Sequence, residues 1–278
     1  MAADRSNPAR GHSLLLFFVL AYGLSWAVEI PLALRARGLI TASIPWWLHY
    51  LAAYGPMLAA IVVTGVTGGR DGLRELFGRM FKWRVRPVWW LVALAPLVLY
   101  AMLAVVLWFI QGQWPDLAAL GQIDFLPNLG VGALFVWFLT FGLGEETGWR
   151  GFALPRLEQG RSALSATVIL WVLWALWHLP LFFYLYDAVI IAGFLLGLLA
   201  GAITFTWLYN STGGSVLLVA VWHAAFNFVT GCVTCKTGIE AAVVSTVVMV
   251  WAVVVVLWLK PARLTWATRK QLIGRSKS

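Results

Sequence analysis

The chain has 278 residues, 62% of them hydrophobic and 11% charged, with a mean hydropathy of +0.84 and a formal net charge of +9. A soluble domain carries about 25% charged residues, so this composition excludes a protein whose surface is covered by water. It fits an all-α, polytopic membrane protein, whose length is best counted in helices of about 20 apolar residues each.

Eight apolar segments follow in chain order: 13–34, 45–65, 88–110, a fourth from near 126 through 141 into a charged stretch, 163–184, 188–209, 215–233 and 241–259. Arg5 and Arg10 precede the first run as in a signal peptide, but that run is long and lacks a small-residue cleavage site, so it reads as a retained helix. With the N-terminus inside, 17 Lys and Arg fall in inner segments against 3 outside (Arg35, Arg37 and Lys236). The positive-inside bias therefore places both termini in the cytoplasm. The positive charge reads as topology and as contact with anionic lipid at the cytoplasmic face; no nucleic acid is expected as a partner. Residues 71–86 form a basic segment suited to lie on the inner leaflet as a helix. Trp46, Trp47, Trp89, Trp90 and Trp114 fall near segment ends, where amphipathic rings prefer the interface. The short, bare loops point to a prokaryotic plasma membrane.

Smaller features receive structural readings. Glu29 is expected to pair with Arg35 or Arg37. Gly193, Gly197 and Gly201 recur every fourth residue, as in a helix-packing stripe. Cys232 and Cys235 read as two small residues at a helix end, with a disulfide in an oxidising exterior as the alternative. His12 and His49 lie at interfaces and receive no role.

Charged groups inside a bilayer are costly and mark function. The run Gly144-Glu145-Glu146-Thr147-Gly148-Trp149-Arg150 places two carboxylates and an arginine late in the fourth segment. In α-helical geometry Glu146 and Arg150 share a face and can pair, whereas Glu145 lies roughly 140° away from Arg150. One carboxylate is then neutralised by its neighbour and the other is left for general-base work. The plainer reading is a helix that ends in snorkelling charges. His178 sits within the fifth segment and alone would pass for a satisfied core histidine. His223 and Asn227, four apart with Ala224 and Ala225 between them, could equally be an interhelical hydrogen-bond clamp. The combination on three segments is harder to read as structural than any one part.

These residues resemble the CAAX prenyl endopeptidase type II and bacteriocin-processing (CPBP, Abi-type) intramembrane proteases. The likeness rests on Glu145-Glu146-x-x-x-Arg150-Gly151-Phe152, the continuation Leu154-Pro155-Arg156-Leu157-Glu158, the His178 segment, and Leu208-Tyr209-x-x-Thr212-Gly213 leading into His223-x-x-x-Asn227. Trp174 departs from the pattern, which usually has phenylalanine four residues before the histidine. The resemblance implies three regions: N-terminal helices with the inner-surface segment over 1–125, a catalytic core over 126–233, and a last span with a basic tail over 234–278. It also implies an intramembrane endopeptidase. Glu145 would activate water with help from His178, His223 and Asn227 would hold the oxyanion, and Glu146 with Arg150 would support them. The substrate would be a peptide or membrane-anchored protein, in some relatives a prenylated CAAX tail. Zinc is a possible cofactor, with Glu145, His178, His223 and Asn227 as ligands, although no His-Glu-x-x-His is present and a metal-free mechanism is the first expectation. A non-catalytic membrane scaffold or bacteriocin-immunity protein, and a small proton- or ion-coupled transporter, are the alternatives.

One geometric demand follows. At about 1.5 Å per residue, His178 lies about 22 Å along its helix and His223 about 12 Å along its own. For the two to meet, the fourth helix must continue past Arg150 to near Pro155 and the fifth must begin below the membrane.

Overall fold

The computed structural model describes residues 8–233, 235, 238–259 and 261–265. The basic residues Arg5, Lys236, Lys260, Arg269, Lys270, Arg275 and Lys277 counted for the orientation lie outside these. Among the described residues the fold is entirely helical. Helix α1 spans Pro8–Ala36 and α2 spans Gly55–Met80, with short turns Trp46–Leu48 and His49–Ala52 between them. Next come α3 (Ala95–Gln111), preceded by the short helix Val88–Ala93, and α4, a continuous helical stretch over 132–157. Four more helices follow: α5 (Ala163–Trp177), α6 (Ala188–Ser211), α7 (Val216–Thr230) and α8 (Ile239–Trp258).

Stretches within α1, α6 and α8, and the stretch Trp46–Met80 that contains α2, are long and apolar enough to cross a bilayer, while α3, α5 and α7 are shorter apolar helices. Many of their outward side chains are apolar and more than half exposed, including Leu15, Val66, Met102, Phe109, Val250 and Leu257. Apolar residues facing out around a helical bundle suit hydrocarbon as the surrounding solvent. The chain is an integral membrane protein. Eight helices answer to the eight segments of the sequence, although length and composition qualify only four as full spans.

Local chemistry fixes where several helices begin and end. Ser162 and Ser215 cap α5 and α7, their hydroxyls accepting the amides of Ser165 and Leu218 at 3.1 and 3.3 Å. The Ser215 hydroxyl also donates to the Lys82 carbonyl at 2.7 Å, tying α7 to the connection after α2. In α2, Gly69 takes φ 57° and ψ −149°, a break that separates an apolar half from the basic arm after it. That arm is helical only to Met80, so the expected amphipathic helix over 71–86 stops early. Helix α5 ends at Trp177, where Pro180 enters a 3-10 turn over Leu179–Phe183, shorter than the segment to 184 read from hydropathy.

Helix α7 is buried on most of its sides and packs against α2, α3, α4, α6 and α8. Close approach to α4 depends on its glycines. A Cβ at Gly142 would lie 2.8 Å from the Ala220 carbonyl oxygen of α7, and one at Gly144 would lie 2.7 Å from the Ala53 carbonyl. At Gly148 it would lie 2.5 Å from Cβ and 2.6 Å from the carbonyl oxygen of Pro56, in the first turn of α2. Gly148→Ala is therefore expected to push α2 off α4 and to cost about 1–3 kcal/mol of stability. The check is unfolding of the purified protein in mixed micelles.

Other small readings change. A Cβ at Gly193 or Gly201 would meet open space, and one at Gly197 would meet only the Met249 Cε at 3.9 Å, so these glycines are not a tight packing stripe. Cys232 and Cys235 are joined as a disulfide, the alternative reading of that pair. His49 is buried, with Nδ1 2.8 Å from the Tyr184 hydroxyl, rather than at an interface.

Candidate active site

Helix α4 departs from α geometry where the charged motif lies. Residues Phe138–Glu145 and Thr147–Ala153 are π-helical, with Glu146 between them. Hydrogen bonds run i→i+5 in a π register, a rare form that is frequent at functional sites. The angles expected from α spacing are corrected accordingly: residues five apart, such as Glu145 and Arg150, come closer to one face than α geometry allows. Both carboxylates lie within electrostatic range of Arg150.

Arg150 is fully buried, its Nη1 3.1 Å from Oε1 and 2.9 Å from Oε2 of Glu146, which is also fully buried. The guanidinium carbon lies 4.3 Å from the ring centre of Trp174 and 4.7 Å from that of Phe205, so two aromatic faces supplement the one carboxylate. Glu146 Oε1 also meets His223 Nδ1 at 2.9 Å. The ion pair expected between Glu146 and Arg150 is present, and the same carboxylate anchors the histidine of α7. A carboxylate accepts, so Nδ1 of His223 carries the hydrogen and Nε2 is the nitrogen left to face a substrate.

Glu145 points away from that pair. Its Oε2 accepts the Trp174 Nε1–H at 2.8 Å. His178 stands at the C-terminal end of α5 rather than deep in a span, and its Nδ1 lies 2.7 Å from the Trp174 carbonyl oxygen. A carbonyl also only accepts, so Nδ1 of His178 is the donor and Nε2 of a neutral ring keeps its lone pair. Trp174 thus touches Glu145 and His178 by hydrogen bonds, lies under Arg150, and stands edge-on to His223 with ring centres 5.9 Å apart. Asn227 is half-buried one turn beyond His223, and its side chain has no hydrogen bond among the described residues.

The structure therefore gathers Glu145, Glu146, Arg150, His178 and His223 around one tryptophan, on three helices. The unequal depths of the two histidines are reconciled partly as expected: α4 continues unbroken through Arg150 to Leu157. The start of α5 is held at its own end, where the Ala163 and Leu164 amides donate to the Ala262 and Pro261 carbonyls at 3.1 and 3.0 Å. Among the described residues no group of three or more His, Cys, Asp or Glu is placed to hold a metal ion, and Glu145 Oε2, His178 Nδ1 and His223 Nδ1 are each engaged within the protein.

A comparison with known families meets this geometry at the same residues. Residues 127–229 match the Rce1-like type II CAAX prenyl endopeptidase family. The match contains every residue of the cluster. The chain is also similar to CAAX prenyl protease 2 of Methanococcus maripaludis, with 29% identity over 145 residues, covering 48% of this chain and 54% of that protein. The aligned part thus spans about half the length of the curated relative. The resemblance drawn from the motifs is the one the Rce1-like model returns. The Rce1-like match covers the part of the chain that carries the cluster, and the class of the catalytic group is not given by it.

Trp174 is the residue whose part the motif reading missed. It stands where the motif of the resembled CPBP proteins is expected to have phenylalanine, which packs alike but cannot donate to Glu145. The signal was that departure itself, since an indole N–H inside an apolar helix needs an acceptor. Trp174→Phe is expected to lower the cleavage rate about tenfold with KM unchanged, from one lost hydrogen bond to a charged group. Steady-state kinetics on a single peptide checks it.

Proposed function

We propose that the chain is an intramembrane endopeptidase that cuts near the C-terminus of a membrane-associated protein or peptide, of the prenylated CAAX kind named for its relative. The reading is supported above all by the division of labour between adjacent carboxylates: Glu146 is spent on Arg150 and His223, and Glu145 is held by one N–H, with no hydrogen bond to its other oxygen among the described residues. Glu145, with the Nε2 lone pair of His178, takes a proton from water as the oxygen attacks the scissile carbonyl. Nε2 of His223, when it carries a hydrogen, and the Asn227 amide donate to the developing oxyanion, in a water-poor site where such donors count most. The tetrahedral intermediate then collapses, the C–N bond breaks, and the proton held by Glu145 passes to the leaving amine. Both termini would lie in the cytoplasm, with the basic arm after Gly69 against anionic lipid.

The test is cleavage of a quenched fluorescent peptide library, some members prenylated, by the purified protein in lipid. Wild type is compared with His223→Ala, each with a chelator and with added zinc. Cleavage by wild type that is lost in the variant supports the reading, and chelator sensitivity would bring zinc into the mechanism. A folded wild type that cuts no member of the library removes the protease reading in favour of a non-catalytic membrane scaffold.

A further inference from the structure

Glu29 is a buried carboxylate that the mechanism above does not use. It lies on α1 and is 1% exposed. The ion pair expected with Arg35 or Arg37 is not formed. Arg35 donates to the Ile44 carbonyl with its guanidinium 4.4 Å over the Trp46 ring, and Arg37 donates to the Phe183 carbonyl at 3.1 Å. No hydrogen bond reaches the Glu29 carboxyl among the described residues, and its Oε2 is sealed from solvent without a partner.

Where the carboxyl points follows from the face of α1 that carries it. The Tyr22 hydroxyl donates to the Leu173 carbonyl, and Trp26 Nε1 donates to the Trp177 carbonyl at 2.9 Å. The pairs advance four residues on each helix, so α1 and α5 run parallel in register. Ser25, on the same side, donates to the Ala52 carbonyl at 2.7 Å. Glu29 lies three residues beyond Trp26 and four beyond Ser25, so it shares this inward face and stands about one turn past Trp177, beside the end of α5 that holds His178. It lies within electrostatic range of Glu145 and of Tyr184, whose hydroxyl is held by His49. A buried acceptor left unmet is costly, and a membrane protein retains such a group where a ligand completes it.

We propose that Glu29 is a substrate-contacting residue of the Glu145 centre, whose free carboxyl oxygen accepts hydrogen bonds from backbone N–H groups of the bound peptide. An extended peptide presents such donors along its length, and α1 would supply one wall of its channel beside the catalytic helices α4, α5 and α7. The proposal rests on the protease reading and adds α1, which lies outside the matched residues 127–229, to the site.

The experiment uses the full chain in lipid with one cleaved peptide and a series of that peptide N-methylated at single positions. Glu29→Met, which keeps bulk but removes both acceptors, is expected to raise KM about tenfold with kcat within about threefold of wild type. Glu29→Gln, which keeps an acceptor oxygen, is expected to restore most of the lost affinity. One N-methyl position should raise KM about tenfold for wild type and add nothing further in Glu29→Met, because both changes delete the same contact. Unchanged KM in a folded Glu29→Met, or a loss confined to kcat, overturns the contact. Should Glu29→Met not fold, a wild type indifferent to N-methylation at every position overturns it equally. If wild type cleaves nothing, the protease reading fails and this inference with it; if wild type cleaves and Glu29 is silent, only the inference fails.

Discussion

Glu145→Gln is expected to abolish turnover, with kcat down by about 10²–10⁴-fold, the range a positioned general base supplies. The substitution is nearly isosteric and its effect on the fold should be small. A glutamine oxygen still accepts the Trp174 indole N–H that Glu145 accepts at 2.8 Å, and the Glu146 pairs with Arg150 and His223 are untouched. What disappears is the capacity to take a proton. KM should stay within about threefold, since the loss belongs to the chemical step rather than to binding. Single-turnover cleavage at saturating enzyme separates the two. A Glu145→Gln protein that still cuts within a few-fold of wild type would show that the base lies elsewhere, with Nε2 of His178 as the next group to remove. The same change at the neighbouring residue makes a control of opposite character. Glu146→Gln should harm stability as well as rate, because its carboxylate is the counter-charge of a buried guanidinium.

That contrast between adjacent glutamates was partly legible in the sequence. Four-residue spacing correctly joined Glu146 to Arg150. Motif order brought in His178, His223 and Asn227 from helices far apart in the chain. The π register was not legible, because no periodicity in an apolar stretch distinguishes it from an α-helix. Tertiary contact accompanies it, with α2, the turn before it and α7 closing on Gly142, Gly144 and Gly148, where a side chain would strike backbone. The end of α5 was also masked, because Leu179-Pro180-Leu181-Phe182-Phe183 continues the hydropathy while Pro180 ends the α-helix. Glu29 was misassigned for a different reason. Nearest opposite charges in sequence suggested a pair, whereas the side on which Glu29 lies is set by Tyr22, Ser25 and Trp26, whose bonds cross to other helices. The role of Trp174 needed coordinates, since its two hydrogen bonds reach both a side chain on α4 and the histidine four residues ahead of it.

Arg150→Met is expected to give the largest loss of stability in the chain, about 3–5 kcal/mol, because it strands the Glu146 carboxylate in a fully buried position. The methionine fills much of the space over Trp174 and Phe205, so the deficit is that of an uncompensated charge rather than of a cavity. Pairing the change with Glu146→Gln removes the stranded charge and should recover a large part of the loss, leaving a double variant more stable than Arg150→Met alone. Reversible unfolding in mixed micelles across the four proteins gives the coupling energy. A coupling near zero would mean that the 2.9 Å ion pair carries no stability and that the aromatic faces alone hold Arg150. Activity should not recover with stability. In the double variant a neutral amide replaces the carboxylate that holds Nδ1 of His223 at 2.9 Å, so the ring that would donate to the oxyanion loses its charged anchor. A folded double variant that remains inactive would separate the two duties of Glu146, holding the helix charge and aiming the histidine, which a single substitution at that position cannot do.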